Sequence, residues 1–384
     1  MSSELPLEGI TVVEFGHSIA APYAGLILAD LGARVVKIEN PANGDYARGW
    51  GPPFWADVAT AFHCFNRGKE SVAVDLSDTA QVTALRAFIL EHADVVIQNL
   101  RAGVLESRGL GYDMFRNEKP ELLWADIGAF GSSGPLSDKP GYDPLAQAFA
   151  GIMSVTGEKG RPPVRVGVSL VDMGSGMWTV IGLLAALLNR TRTSKGARIG
   201  TSLFETGLAW MTVHLGGFAA NGEVRQPHGS GLAEIVPYQA FQCRDGWLMI
   251  SAGNDNLFRK FVQALGLPEL VASPEFATNP GRVENRDKLI PILEQTIAES
   301  TVAEMSALLD DCGVPCAPIN SVDEVIRHPQ TQSVGMIEPS APSDLPTVGI
   351  PITIDAVRPR VRGRAPGLGE HNAVLNKPAT QLAN

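Results

Sequence analysis

Within its first forty residues the chain lays down an apolar run, Ile10-Thr-Val-Val-Glu-Phe15. A small-residue turn follows, His17-Ser-Ile-Ala-Ala-Pro22, then a helical pattern reaching Leu31 and a second apolar run, Val35-Val-Lys-Ile38. Strand, turn, helix and strand in this order predict two parallel strands joined by a crossover helix, the opening of a doubly wound sheet. Further strands are expected at Ser71-Val-Ala-Val-Asp75, Asp94-Val-Val-Ile97, Leu122-Leu-Trp-Ala-Asp126 and Ala197-Arg-Ile-Gly-Thr-Ser-Leu203, with helices between them. The fold class read from this pattern is α/β, with a Rossmann-like doubly wound large domain. The first turn lacks GxGxxG, so a nicotinamide or flavin oxidoreductase loses its main support.

The pattern changes beyond about Asn221. A Gly/Pro-containing loop leads to a hairpin over 238–250 that turns at Asp245-Gly246, and short helices continue through Leu309. A large domain over 1–205, a smaller α/β domain over 221–325 and a C-terminal segment over 330–384 that returns to the large domain are expected. A chain of 384 residues exceeds the usual single-domain size, which fits that division. No internal repeat is found.

Composition narrows the partners. Hydrophobic residues make up 45% and charged residues 19%, the make-up of a globular protein with ample core. The net charge of −10 argues against nucleic acid, so any phosphate ligand must be held by a local cluster. The apolar stretch Met177–Leu188 falls short of the ~20 residues that span a bilayer, and the N-terminus lacks the basic and apolar regions of a signal peptide. No membrane partner and a cytoplasmic location are expected. Cys64, Cys243, Cys312 and Cys316 are too scattered for a disulfide framework. Cys312-Gly-Val-Pro-Cys316 has neither CxxC spacing nor nearby histidines, so it reads as structural and no metal site is expected.

One carboxylate stands out. In Val168-Ser-Leu-Val-Asp172-Met-Gly174-Ser-Gly176-Met-Trp178 an aspartate precedes two glycines and an apolar helix expected to start near Gly174. Read plainly, it is a helix N-cap. Read as chemistry, it is a nucleophile among unpaired backbone N–H groups, with glycines that let a substrate approach and amides that could bind an oxyanion. Glu205, in Ser-Leu-Phe-Glu-Thr, reads as a helix N-terminal acid, and His17 as a local hydrogen-bonding group. Basic and amide side chains recur beside strand ends in the first third: Lys37 and Arg48, Asn66-Arg-Gly-Lys69, and Asn99-Leu-Arg101. Loops at the carboxyl ends of parallel strands are where such sheets bind ligands.

The runs Gly32-Ala-Arg-Val-Val-Lys37-Ile-Glu39, Asn66-Arg-Gly-Lys69, Asn99-Leu-Arg-Ala-Gly103 and Gly141-Tyr-Asp143, together with the Asp172 segment, resemble the class III CoA-transferases, the formyl-CoA and carnitine CoA-transferase family. Gly313-Val-Pro-Cys-Ala-Pro318, His328-Pro-Gln330 and Pro366-Gly-Leu-Gly-Glu-His371 extend the likeness in register over nearly the whole chain. The resemblance implies that Asp172 is the catalytic nucleophile and that Tyr142 lies beside the reacting acyl group. It further implies that Ala20, Lys37, Asn66, Lys69, Asn99 and Leu100 line the CoA site. Asn40 and Ser107 stand where relatives carry Arg or a similar group, and Arg108 is the neighbouring substitute for the second. His228-Gly-Ser-Gly231 replaces the longer glycine run of the formyl-CoA branch, so a formyl-CoA/oxalate enzyme is not expected. An interlocked homodimer is implied as well.

The chemistry so implied is CoA transfer between an acyl-CoA and a free carboxylic acid, with CoA as substrate and no bound cofactor. Short dicarboxylates such as succinate are the expected acids. α-Methylacyl-CoA racemase resembles the chain in fold but has Gly-His-Asp where this sequence has Gly141-Tyr142-Asp143. A tyrosine with an ordinary pKa of about 10 replaces a histidine of about 6.5 poorly in two-way proton exchange. A non-catalytic CoA-binding protein would have no need of the Asp172 segment.

Overall fold

A computed structural model describes residues 5–339, 345–360 and 363–376. Six parallel strands form the main sheet: β1 (Thr11–Phe15), β2 (Arg34–Glu39), β3 (Glu70–Ala73), β4 (Val95–Gln98), β5 (Leu123–Gly128) and β6 (Arg198–Ser202). Their order is β3-β2-β1-β4-β5-β6. Val12, Val13, Val35 and Val36 are buried to 2% exposure or less, because helices cover both faces of the sheet. The strands expected from the sequence are all present, each within a residue or two of its expected ends.

Helix α1 (Ala20–Asp30) makes the first crossover, with every residue but Tyr23 buried. Helices α2 (Thr60–Asn66) and α3 (Thr79–His92) precede and follow β3, and α4 (Asp143–Phe149) follows the loop after β5. Helix α5 (Leu170–Thr193) begins four residues before the expected start. Its 24 residues, with a mean hydropathy of 1.6 in the most apolar window, have the length and composition of a membrane span. Its neighbours are α1, α4, β5, β6 and α6 (Leu203–Trp210), so one face of it is a core face. On the other face Met177, Trp178, Ile181, Leu184 and Leu188 are exposed.

The described parts of Met1–Ile152, Arg165–Ala220 and Pro329–Asn384 make one compact unit, and Met153–Val164 with Asn221–His328 make a second. The expected large domain thus gains 206–220 and gives up a short segment before α5. The second unit holds the expected hairpin, β7 (Tyr238–Gln242) and β8 (Trp247–Ser251), joined by β9 (Cys316–Pro318) into an antiparallel sheet. Strand β9 was not expected, because three residues ending in proline carry little strand signal; proline is tolerated there because β9 is an edge. The core of this unit is built on Phe241, Leu248, Ile250, Phe258, Phe261 and Leu289, with Cys312 and Cys316 against it as free thiols.

The returning C-terminal segment fastens to the edge strand β3. His371 N donates to Ser71 O (2.8 Å), Ser71 N to His371 Nδ1 (3.2 Å), Gly369 N to Ser71 Oγ (3.0 Å) and Ala73 N to Asn372 Oδ1 (2.8 Å). An open edge of unpaired N–H and C=O groups is thereby closed. Residues 377–384 of the expected segment lie outside the described residues.

Candidate active site

The strand order reverses direction between β1 and β4, and ligands of open α/β sheets bind in the crevice beyond the carboxyl ends at such a point. The two loops there are tied together: His17 N donates to Asn99 Oδ1 and Asn99 Nδ2 to His17 O, both at 2.9 Å. Leu100 follows at once, its N–H bonded to Gln98 Oε1 (2.8 Å), and Ala20 opens α1. Three of the expected site residues, Ala20, Asn99 and Leu100, therefore meet at the switch point. The His17 ring is not the hydrogen-bonding group expected of it. It stacks on Tyr46 with ring centroids 5.1 Å apart, its Nδ1 has no partner, and burial holds its pKa below the usual value.

Three other expected CoA ligands are placed differently. Lys37, Asn66 and Lys69 are no more than 3% exposed. The Lys37 ammonium reaches Glu14 Oε1 (2.9 Å), Asp45 Oδ2 (2.9 Å) and Gly16 O (2.6 Å). Lys69 reaches Glu14 Oε2 (2.7 Å), Pro22 O (2.8 Å) and Asn66 Oδ1 (3.0 Å). Burial works against the Lys37 charge, but Asp45 and Glu14 more than offset it and its pKa is raised; burial carries Lys69 down to about 8. Arg48 is likewise occupied, bidentate to Glu39 (2.8 and 2.7 Å) and stacked over Phe62. Their donors bond within the protein, where Lys37 and Arg48 tie down the loops after β1 and β2 and Lys69 links β1 to α1 and α2. Arg101 and Arg108, beyond β4, are exposed, and their side chains make no hydrogen bond or ion pair among the described residues.

Asp172 sits in the first turn of α5, half-buried. Neither reading of its neighbourhood holds as expected. It is not the N-cap, a position held by Ser169 without a side-chain bond. The amides expected to be free for an oxyanion are taken: Val171 N (2.8 Å) and Asp172 N (3.2 Å) donate to Asp143 Oδ2, and Met173 N to Ser169 O (3.0 Å). The glycines serve packing rather than substrate approach. A Cβ on Gly176 would lie 2.7 Å from Ala20 O, and one on Gly174 2.9 Å from Thr206 Cγ2. This close approach places Ala20 about 6 Å along the helix from Asp172, four residues at 1.5 Å each.

No side chain among the described residues bonds to the Asp172 carboxylate. Burial, and then the charge of Asp143, push its pKa up to about 7. Tyr142 immediately precedes α4 with its ring exposed and its side chain free of capping bonds. Glu205 is the helix N-terminal acid expected: Ser202 Oγ donates to its carboxylate (2.6 Å) and accepts from its backbone N–H (3.1 Å).

Sequence reasoning quoted Asp143 only as part of the Gly141-Tyr-Asp143 motif, gave it no role, and missed Gln147. Asp143 Oδ1 accepts from Gln147 Nε2 (2.6 Å), and Gln147 Oε1 accepts from Val166 N (2.9 Å), with both side chains buried. The signal was available as an Asp and a Gln four apart on one helix face.

A model of CoA-transferase family III matches residues 7–372. The succinyl-CoA:glutarate CoA-transferase of Mus musculus is 36% identical over 344 residues, 90% of this chain and 78% of the mouse protein. The acetyl-CoA:oxalate CoA-transferase of Acetobacter aceti is 36% identical over 377 residues, 97% of this chain and 95% of its own. The crystal structure of a CaiB/BaiF family protein from Brucella suis superposes with a TM-score of 0.88 at 36% identity, covering 97% of this chain and 99% of that one. The chain belongs to CoA-transferase family III, and it is an enzyme of the CoA-transferase class.

Proposed function

We propose that this enzyme carries CoA from an acyl-CoA thioester to a free carboxylic acid through covalent intermediates on Asp172. The observation that carries the reading is the partnerless, half-buried Asp172 carboxylate one helical turn from Ala20, at the edge of the switch-point crevice. An oxygen of Asp172 attacks the thioester carbonyl, the C–S bond breaks, and CoA leaves as thiolate with a mixed anhydride on the enzyme. The bound thiolate attacks the aspartyl carbonyl, forming an aspartyl-CoA thioester and releasing the first acid. The second acid then repeats these steps in reverse. Holding carboxylate and thioester together can supply ~7–11 kcal/mol of the barrier. Tyr142 packs beside the acyl group.

Ala20, Asn99 and Leu100 line the CoA crevice, and Arg108 supplies charge to its phosphates, while Lys37, Asn66 and Lys69 hold the frame from beneath. Short dicarboxylates are the acids we assign, since the relatives are named for succinyl-CoA with glutarate, D-citramalate or mesaconate. We further assign the enzyme to the cytoplasm as a homodimer.

Asp172→Ala is expected to abolish exchange, by more than about a thousandfold in kcat, while CoA still binds. In the wild type, hydroxylamine added with acyl-CoA is expected to leave an adduct on Asp172. Turnover in the variant, or an adduct mapping to Glu205, would overturn the assignment. A carboxyl group with a pKa of about 7 also suits a proton-transfer base, which favours racemisation of a 2-methylacyl-CoA as the second reading. The two differ in isotope: deuterium uptake from heavy water at the α-carbon marks the racemase, and ¹⁸O passing from a labelled acid to Asp172 marks the transferase.

A further inference from the structure

Two carboxylates share the N-terminus of α5, and the backbone serves only one of them. Asp143 takes all its hydrogen bonds as an acceptor: two from the N–H groups of Val171 and Asp172 and one from Gln147. Gln147 can turn its amide only one way, because it donates to Asp143 while accepting from Val166 N. The Val166 bond ties this pair to the chain just after Arg165, where it re-enters the large unit. The Asp172 carboxylate, whose own amide and the one before it are occupied by Asp143, is left with no donor.

We propose that Asp143, oriented by Gln147, is a positioning residue that withholds the helix-terminal amides from Asp172 and keeps a fixed charge beside it, so that the nucleophile stays basic. This rests on Asp172 being the nucleophile. A carboxylate stabilised by two amides would be a weak base and a weak nucleophile, because nucleophilicity follows basicity. Burial, and then the like charge of Asp143, hold a proton on Asp172 until pH approaches 7; with the amides occupied by Asp143 no donor stabilises its ionised form, which is the stronger nucleophile. The other titratable groups on the elements around this terminus are Tyr142 beside α4, Tyr23 on α1, Glu205 on α6 and Arg165 on the preceding loop. Glu205 is bound by Ser202, and Arg165 by the carbonyls of Val166 and Gly167. Only the Asp143 charge bears on Asp172.

The test is the pH dependence of kcat/KM for acyl-CoA. Wild-type activity is expected to rise with pH along a limb centred near 7, since the ionised form attacks. Asp143→Asn keeps the shape and removes the charge, and is expected to move that limb down by on the order of one pH unit. A limb that stays in place in a folded Asp143→Asn, or a wild-type limb below about 5, overturns the proposal. Should Asp143→Asn not fold, Gln147→Leu decides: kcat is expected to fall about tenfold with KM for acyl-CoA unchanged, and an unchanged kcat or an equal rise in KM overturns it. Hydroxylamine trapping separates the two levels. No adduct on Asp172 in the wild type means that the nucleophile assignment has failed, whereas an adduct with an unmoved limb means that only the role of Asp143 has.

Discussion

At the scale of single residues, charge in this protein is spent inward. The Lys37 ammonium has two carboxylates and a carbonyl within 3 Å and no exposed surface. Removing one partner of such a buried group leaves uncompensated charge, a loss of ~3–5 kcal/mol. Lys37→Met is therefore expected to lower the urea midpoint markedly while KM for acyl-CoA in the folded fraction stays near wild type. A selective rise in KM with stability unchanged would restore Lys37 as a direct ligand. The sequence could flag Lys37, Asn66 and Lys69 as polar groups near strand ends but not say which way they point. A lysine on the second strand reads the same whether it reaches solvent or the buried Glu14. Asp172 was legible because an acid before Gly174 and Gly176 is conspicuous; Asp143 was not, because its role is to accept amides from a segment 28 residues away.

At the scale of elements, the α1–α5 contact connects the switch point to Asp172, and glycine makes it possible. An alanine at 176 would gain roughly 1 kcal/mol of helix propensity but press its methyl 2.7 Å from Ala20 O, a backbone atom that cannot rotate away. Overpacking of this kind costs ~1–3 kcal/mol, so Gly176→Ala is expected to be destabilising on balance. It is also expected to lower kcat, because α5 can move away from α1 only by carrying Asp172 with it. Denaturant melts and steady-state rates check both. Period and turn residues were enough to read every strand of the main sheet, since short runs of four to six residues between helical patterns leave little choice. Strand β9 escaped because pairing, not propensity, makes it a strand.

At the scale of the whole molecule, α5 presents Met177, Trp178, Ile181, Leu184 and Leu188 to the outside at helical spacing, and Trp210, Leu215 and Phe218 are exposed beyond it. So much contiguous apolar surface is unusual for a monomer. Light scattering at micromolar concentration is expected to give twice the chain mass, and Leu188→Glu to shift it toward the monomer. A wild-type monomer mass would count against the homodimer. Such a stripe could not be read from composition, because composition does not say which apolar residues of a helix face outward; here the buried face carries Val171, Gly174, Ser175, Gly176, Thr179, Val180 and Leu183.

The fastening of the C-terminal segment onto β3 has a consequence for biosynthesis. Ser71 and His371 bond to each other across 300 residues of sequence, an interval that a ribosome takes about 15–60 s to translate at ~5–20 residues per second. Throughout that time β3 is finished and its outer edge is bare. Residues 369–372 close it, so the nascent sheet must be kept from other strands until they emerge, and a chain cut short before Gly369 would keep that edge open.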